Sequence, residues 1–341
     1  MEQPPPFAVR ASAPHKADLA LHYLCDNQCE HCYNEPGRRQ PSLPLADWQR
    51  VLERLWEIGV PYVIFTGGEP ALHPHLAELV AYAGARGQIT GLNTNGRALR
   101  KPARAAALQE AGLDHVQVTL HSDRAPVHDA LVGAPAWEET VAGIRACLEA
   151  GLHTLTNTTL LAANADRALK LVEFLHGLGL RTFAMNGLIH SGCGAAYGGE
   201  LSEAELGPIL ERVRDRAGEL GMRFLWYTPT RYCRLSPVEL GLGVKGCNAA
   251  EYSICIEPDG AVLPCQSYYE PAGNILRDPW ENIWESDLFR RIRERRECPQ
   301  AAGLPRGCAE CEELGTCGGG CMLGRRSEVE SGGNVRPHPV A

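Results

Sequence analysis

The stretch Cys25-Asp-Asn-Gln-Cys29-Glu-His-Cys32-Tyr33 constrains this chain more than any other. Its three thiols are close enough in sequence for one loop to bring them onto a single metal centre. Thiolates are soft ligands that suit zinc or iron–sulfur clusters, and three of them on a four-iron cluster leave one iron free to bind a substrate or cosubstrate. The competing readings are a zinc knot and scattered core thiols. Zinc needs a fourth ligand nearby, and only His31 offers itself.

At 341 residues the chain fits one large α/β domain with a smaller module after it. Behind a polar, proline-rich and flexible leader over 1–16, alternating apolar residues predict a strand from Ala17 to Leu24 that runs into Cys25. Leu45 to Ile58 then places Trp48, Val51, Leu52, Leu55 and Ile58 on one helical face, closed by Gly59. Tyr62-Val-Ile-Phe65 predicts a buried strand delivering Thr66-Gly67-Gly68-Glu69-Pro70, followed by a helix over 75–85. Further strands are expected at 89–93, 116–120, 154–159 and 181–185, with helices at 103–110, 137–150 and 167–176. Six such units imply an α/β fold, a partial (β/α)6 TIM-type barrel whose loops at the carboxyl ends of the strands share one cavity. Those loops hold the cysteines, Gly67 to Glu69, Asn93 to Gly96, Thr119 to Ser122, Asn157, and Gly187 to Gly194. A Pro-, Gly- and Tyr-rich shift over 228–246 reads as a linker, so the barrel is expected to span 17–235 and a small cysteine-rich C-terminal domain 236–324. The polar stretch 325–341 reads as a disordered tail.

A formal net charge of −8, a pI of about 5.9 and the lack of a basic run with interleaved aromatics argue against nucleic acid as a partner. No apolar window approaches the length of a bilayer span, which points away from the membrane and to a cytoplasmic protein. Fourteen cysteines in a reducing compartment, gathered toward the two ends of the chain, point to metal rather than disulfides.

The motif Cys25-x3-Cys29-x2-Cys32 with Tyr33 beside it, followed by Gly67-Gly68-Glu69-Pro70 after the second strand, resembles the radical S-adenosylmethionine (radical SAM) enzymes. The C-terminal series Cys247, Cys255, Gly260, Cys265, then Cys308-x2-Cys311-x5-Cys317-x3-Cys321, resembles the SPASM extension carried by one branch of that superfamily. The resemblance implies a [4Fe-4S] cluster on Cys25, Cys29 and Cys32, with SAM on its open iron. Reductive cleavage of SAM then gives a 5'-deoxyadenosyl radical that takes a hydrogen atom from the substrate. It also implies one or two auxiliary iron–sulfur clusters and a reductant such as flavodoxin or ferredoxin.

By the same resemblance Gly67, Gly68 and Pro70 shape a turn close to the methionine end of SAM, and Glu69 pairs with its amino group. His31 and Tyr33 flank the region that contacts adenine, Thr119 stands where the family has a hydroxyl residue holding SAM, and Asn95 and Asn157 are looser candidates for ribose or adenine. Relatives often carry an arginine for the SAM carboxylate where this chain has Val132; Arg124 is the substitute offered by the sequence. In the SPASM pattern Cys247, Cys255, Cys265 and Cys321 bind the first auxiliary cluster, and Cys308, Cys311 and Cys317 most of a second. The second normally takes a further downstream cysteine, which is missing here, so Cys298, a non-cysteine ligand, an open iron or an empty site remain. The alternative for the C-terminal block is a zinc ribbon of Cys308, Cys311, Cys317 and Cys321, which strands Cys247, Cys255 and Cys265. Of the other thiols, Cys147 reads as core, and Cys193 after the sixth strand as a hydrogen-atom donor or a plain loop thiol.

Sulfatase-maturing relatives place an aspartate after the cysteine that is Cys265 here, but this chain has Gln266, which argues against that activity. Only 24 residues precede Cys25, so a fused leader-peptide-binding domain is not expected, and a peptide substrate would need a separate recognition protein. The expected function is modification of a peptide or protein side chain by crosslinking, oxidation, decarboxylation or epimerisation. The alternatives are the same chemistry on a small cofactor precursor such as a tetrapyrrole and, more remotely, a non-catalytic iron–sulfur or zinc protein.

Overall fold

The computed structural model describes residues 12–324. Most of the expected leader and all of the expected tail lie outside the described residues. The first strand, β1 (Lys16–Ala20), ends before the expected Leu24. Beyond it the backbone meets a turn instead of a neighbouring strand: Gly68 N–H donates to His22 O and Glu69 N–H to Leu24 O, both at 2.7 Å.

Five more strands form where the alternation places them, β2 (Tyr62–Thr66), β3 (Ile89–Thr94), β4 (His115–Thr119), β5 (His153–Thr159) and β6 (Thr182–Asn186). They pair in parallel in chain order. The intervening helices are α1 (Leu45–Glu57), α2 (Leu76–Gly84), α3 (Pro102–Glu110), α4 (Ala125–Val132), α5 (Trp137–Glu149) and α6 (Ala168–Gly177), of which α4 was not expected. On α1 the residues Trp48, Val51, Leu52 and Leu55 are buried, as the helical spacing predicts. Strand side chains alternate between faces: Leu19, Phe65, Val118 and Met185 join the helices in the main core, which leaves Asp18, Gln117, Asn157 and Ala184 for the barrel interior.

Two features carry the sheet beyond six strands. After α7 (Glu203–Glu219), opened by a Ser202–Glu205 capping box, β7 (Arg223–Trp226) pairs in parallel with β6. At the other edge β8 (Ser253–Ile256) pairs in parallel with β1, and β9 (Ala261–Leu263) and β10 (Gly273–Asn274) follow antiparallel. The single sheet therefore runs β10-β9-β8-β1-β2-β3-β4-β5-β6-β7, and the cysteine-rich segment contributes its first hairpin to the barrel sheet. The helical interval expected from Trp280 to Arg295 is two helices, α8 (Trp280–Trp284) and α9 (Asp287–Arg293), divided where Ser286 caps the second by accepting from Phe289 N–H. A short α10 (Leu314–Cys317) carries one of the last cysteines. Among the described residues no helix is long and apolar enough to cross a membrane.

Candidate active site and metal centres

The cysteine loop sits at the carboxyl end of β1 and is gripped from four sides. From β2, the Gly67–Glu69 turn docks backbone to backbone: a Cβ added at Gly68 meets Leu24 O at 2.3 Å, and one at Gly67, whose φ is +130°, meets His22 O at 2.3 Å. The glycines are thus required first by the loop itself. From β3, Asn95 Nδ2 donates to Asp26 Oδ1 (2.6 Å), and Arg97 donates to Asp26 O and to Asn27 Oδ1 (3.0 Å) while its Nε holds Glu139 on α5 (2.7 Å). From α4, the Val132 carbonyl accepts from Gln28 N–H (2.8 Å). From the turn after β6, Gly194 N–H donates to Cys32 O (3.0 Å), and Gly192 leaves no room for a Cβ beside Asn34 O. Asp26, Asn27, Asn34 and Arg97 were not singled out from sequence, because their partners lie far along the chain and only the fold joins them.

Glu69 is 1% exposed and already has three protein donors. Ala71 N–H (2.9 Å) and the Thr94 hydroxyl (2.5 Å) reach Oε1, and Asn95 N–H (2.6 Å) reaches Oε2. Burial nevertheless outweighs these donors and pushes its carboxyl up to about 7. Pro70 begins the single 3-10 turn that Glu69 caps. Asn95 is fully engaged, its Oδ1 accepting from Arg97 N–H (2.9 Å) as well as its amide binding Asp26. Thr119 and Asn157 are brought together, paired across β4 and β5 at the barrel mouth. Asn157 Nδ2 donates to Asn186 Oδ1 (2.9 Å), while its own buried Oδ1 has no protein partner.

Tyr33 reaches the C-terminal segment, its hydroxyl donating to Gln266 Oε1 (3.3 Å). Tyr269 returns the contact by donating to Tyr33 O (2.9 Å). His31 is buried with Nε2 3.2 Å from Nε2 of His121, a residue the sequence reading passed over, and both Nδ1 atoms lack protein partners. Burial pushes the His31 imidazole down to about 4 and His121 well below the usual histidine range, so both are neutral. Val132 is buried and Arg124 is exposed at the start of α4.

Burial pushes the thiols of Cys25, Cys29 and Cys32 up, Cys25 to about 11, and like charge among the cysteines adds to it. Cys193 lies close enough to raise Cys32 and Cys29 in the same way. Such a set becomes thiolate only when a metal replaces the protons. In the C-terminal segment Cys247, Cys265 and Cys321 come together: Cys265 is pushed up by burial, then by Cys247 and Cys321. Cys255 adjoins Cys265 but packs on the interior side among Ala20, Leu263, Tyr23 and Tyr269. Cys317 is buried on α10, Cys308 half-buried and Cys311 exposed; Cys298 is exposed beyond α9, and Cys147 is core. All fourteen cysteines are free of disulfides. Among the described residues no three His, Cys, Asp or Glu side chains converge tightly enough to grip one metal ion.

The Radical SAM superfamily description matches residues 20–182, and the SPASM iron–sulfur cluster-binding domain matches 247–312. A mycofactocin maturase MftC of Mycolicibacterium smegmatis is 31% identical over 89% of this chain and 77% of its own length. The chain belongs to the radical SAM superfamily and carries a SPASM domain. Also similar are a PqqA peptide cyclase of Streptomyces rochei, 29% identical over 94% of this chain and 89% of its own, and an AdoMet-dependent heme synthase of Methanosarcina barkeri, 27% identical over 86% and 87%. Among solved structures, SuiB of Streptococcus suis bound to its precursor peptide SuiA superimposes with a TM-score of 0.78 at 19% identity, covering 93% of this chain and 73% of SuiB, which shows the shared fold. This radical SAM/SPASM protein is accordingly an enzyme whose cofactors are a [4Fe-4S] cluster with SAM and auxiliary iron–sulfur clusters. The residues present fit that set: one exposed and two half-buried thiols on one clamped loop, an orphaned acceptor on Asn157 at the mouth, and further cysteines in two neighbourhoods.

Proposed function

We propose that this enzyme modifies a side chain of a peptide or protein by hydrogen-atom abstraction. The observation that carries the reading is the clamped Cys25–Cys29–Cys32 loop at the barrel mouth with the SPASM segment joined to it through Tyr33 and Gln266. The support for a peptide substrate is the PqqA peptide cyclase and the peptide-bound SuiB among its relatives. Cys25, Cys29 and Cys32 would hold the [4Fe-4S] cluster, and Cys247, Cys255, Cys265 and Cys321 a first auxiliary cluster, with the barrel taken as 17–235 and the SPASM module as 236–324. Cys308, Cys311 and Cys317 would hold a second.

When bound, the reduced cluster would pass one electron to the sulfonium of SAM, whose carbon–sulfur bond breaks to give methionine and a 5'-deoxyadenosyl radical. The chain's own residues hold and shield. The Asp26–Arg97–Glu139 chain fixes the cysteine loop, Glu69 offers a buried carboxylate at the mouth, and Thr119 and Asn157 present polar atoms on its far side. His31 and His121 would line the site as neutral, buried imidazoles. Cys193, next to the Gly194 that binds Cys32 O, would return a hydrogen atom to a substrate radical if the reaction inverts a centre. The reading includes a cytoplasmic location, a flavodoxin- or ferredoxin-type reductant and a separate peptide-recognition protein.

The test is to incubate reconstituted enzyme, SAM and reductant with a short peptide encoded beside its gene, and follow peptide mass by mass spectrometry in water and in deuterium oxide. Loss of two hydrogens, loss of carbon dioxide or uptake of one deuterium supports the proposal. SAM cleavage with every such peptide unchanged, alongside oxidation or decarboxylation of a tetrapyrrole, selects the second reading, which the similarity to a heme synthase favours.

A further inference from the structure

Residues 322–341 contain no cysteine, and the fold brings a thiol from upstream toward Cys317. The loop that leaves β7 runs directly along α10 and the glycines after it. Cys321 N–H donates to Pro229 O (2.8 Å), and Gly320, at φ +73°, approaches so closely that an added Cβ meets the Arg231 Cγ at 3.0 Å. Tyr232 N–H donates to Cys317 Sγ (3.4 Å), the kind of N–H···S bond that stabilises a cluster thiolate. The next residue is Cys233.

We infer that Cys233 is the fourth thiolate of the second auxiliary iron–sulfur site, completing Cys308, Cys311 and Cys317 from upstream. This rests on the radical SAM/SPASM reading with two auxiliary sites. Cys233 is exposed, so its thiol is accessible to an incoming cluster. The Tyr232 N–H bond to Cys317 Sγ puts the backbone of the adjoining Cys233 beside that thiol, with Arg231 and Arg234 flanking the pair in sequence. Both arginines also lie near Glu203, at 3.9 and 3.8 Å. By contrast Cys298 lies beyond α9, its N–H donating to Glu294 O (2.7 Å). Loading the site breaks the Cys233 S–H bond, releases the proton to water and forms a sulfur–iron bond, with no change in oxidation state. A site closed by four thiolates conducts electrons and leaves no iron for substrate.

The experiment compares wild type, Cys233→Ser, Cys298→Ser and Cys317→Ser after anaerobic reconstitution, by iron and sulfide per chain and by electron paramagnetic resonance of the reduced clusters, with circular dichroism to check folding. Thiol alkylation of wild type before and after loading, read by peptide mass spectrometry, gives a measure that needs no variant. The inference expects Cys233→Ser and Cys317→Ser to lose the same cluster signal and up to about a third of the iron, from about twelve toward about eight per chain. It expects Cys298→Ser to match wild type, and Cys233 to be alkylated before loading and protected after it. Wild-type iron and spectrum in Cys233→Ser, or Cys233 labelled equally before and after loading, overturns it. If Cys317→Ser still loses its cluster, the second auxiliary site stands and only the role of Cys233 fails. If Cys317→Ser is also unchanged, both fail.

Discussion

Glu69→Gln removes a buried charge with almost no change of shape. The folded state raises the Glu69 carboxyl from the ordinary 4.5 to about 7 through burial, despite three donors. A raised carboxyl contributes stability that is complete below about pH 4.5 and is lost as pH climbs through about 7. At about 1.4 kcal/mol per tenfold change in proton affinity, the whole effect is about 3 kcal/mol, of which about 2 kcal/mol falls between pH 5.5 and 8.5. Glutamine does not titrate, and it turns an amide nitrogen toward one of the three donors, an offset of about 1–3 kcal/mol that pH does not change. The quantity to follow is therefore the difference between wild type and Glu69→Gln, taken from urea unfolding of the metal-free, reduced chains at pH 5.5, 6.5, 7.5 and 8.5. The account expects wild type to lose about 2 kcal/mol relative to the variant across that range. A difference that stays constant with pH refutes the claim that Glu69 is held as a strained, buried carboxylate.

Other expectations follow from the clamp around the cysteine loop. Gly68→Ala drives a Cβ into the Leu24 carbonyl, a backbone clash that cannot relax cheaply, and should cost about 1–3 kcal/mol or more and lower iron retention after gel filtration. Gly218→Ala on α7 meets nothing within 4 Å and should instead stabilise by about 0.4–1 kcal/mol in the same unfolding assay. Arg38 lies 4.1 Å from the Tyr269 ring centroid and pairs with Glu257, which is 2% exposed and also accepts from the Tyr23 hydroxyl (2.5 Å). Arg38→Met strands that carboxylate and should cost about 3–5 kcal/mol, whereas Arg38→Met with Glu257→Leu should recover most of it; equal losses in both would argue against a buried pair. Arg97→Ala should release Asp26 and Asn27 and shorten the lifetime of the bound cluster, measured as iron lost to a chelator, with Arg97→Lys intermediate because it keeps one of the two directions of contact.

The barrel was legible because its strands alternate and its helices repeat over long enough stretches to register: α1 and β2 to β6 each carry a clear apolar face. The strands β8 to β10 are four, three and two residues long, too short for any period to show, and so the extension of the sheet past β1 was missed. The helix α7 did announce itself, through Ser202 and Glu205 in a capping box, but that signal was not used. The cysteines, Gly67, Gly68 and Glu69 were visible as motif, yet what the motif touches was not. The glycines lie against the Leu24 and His22 carbonyls, Glu69 against Thr94 and Asn95, and Tyr33 against Gln266, all contacts made by chain segments distant in sequence. Asn95, expected near ribose or adenine, spends its side chain on Asp26 and Arg97. The neighbourhood of Cys233 and Cys317 could not be seen at all without the fold, since 84 positions separate the two residues, from 233 to 317.

The central claim is that the clamped loop of Cys25, Cys29 and Cys32 holds a cluster that cleaves SAM. Anaerobic reconstitution followed by iron and sulfide analysis, with 5'-deoxyadenosine measured after addition of SAM and dithionite, tests it most directly. The account predicts about eight to twelve irons per chain and 5'-deoxyadenosine from wild type, and none of that product when any one of the three cysteines is replaced by alanine. Zinc with little iron, or product that persists in the Cys25→Ala, Cys29→Ala and Cys32→Ala variants, would contradict it.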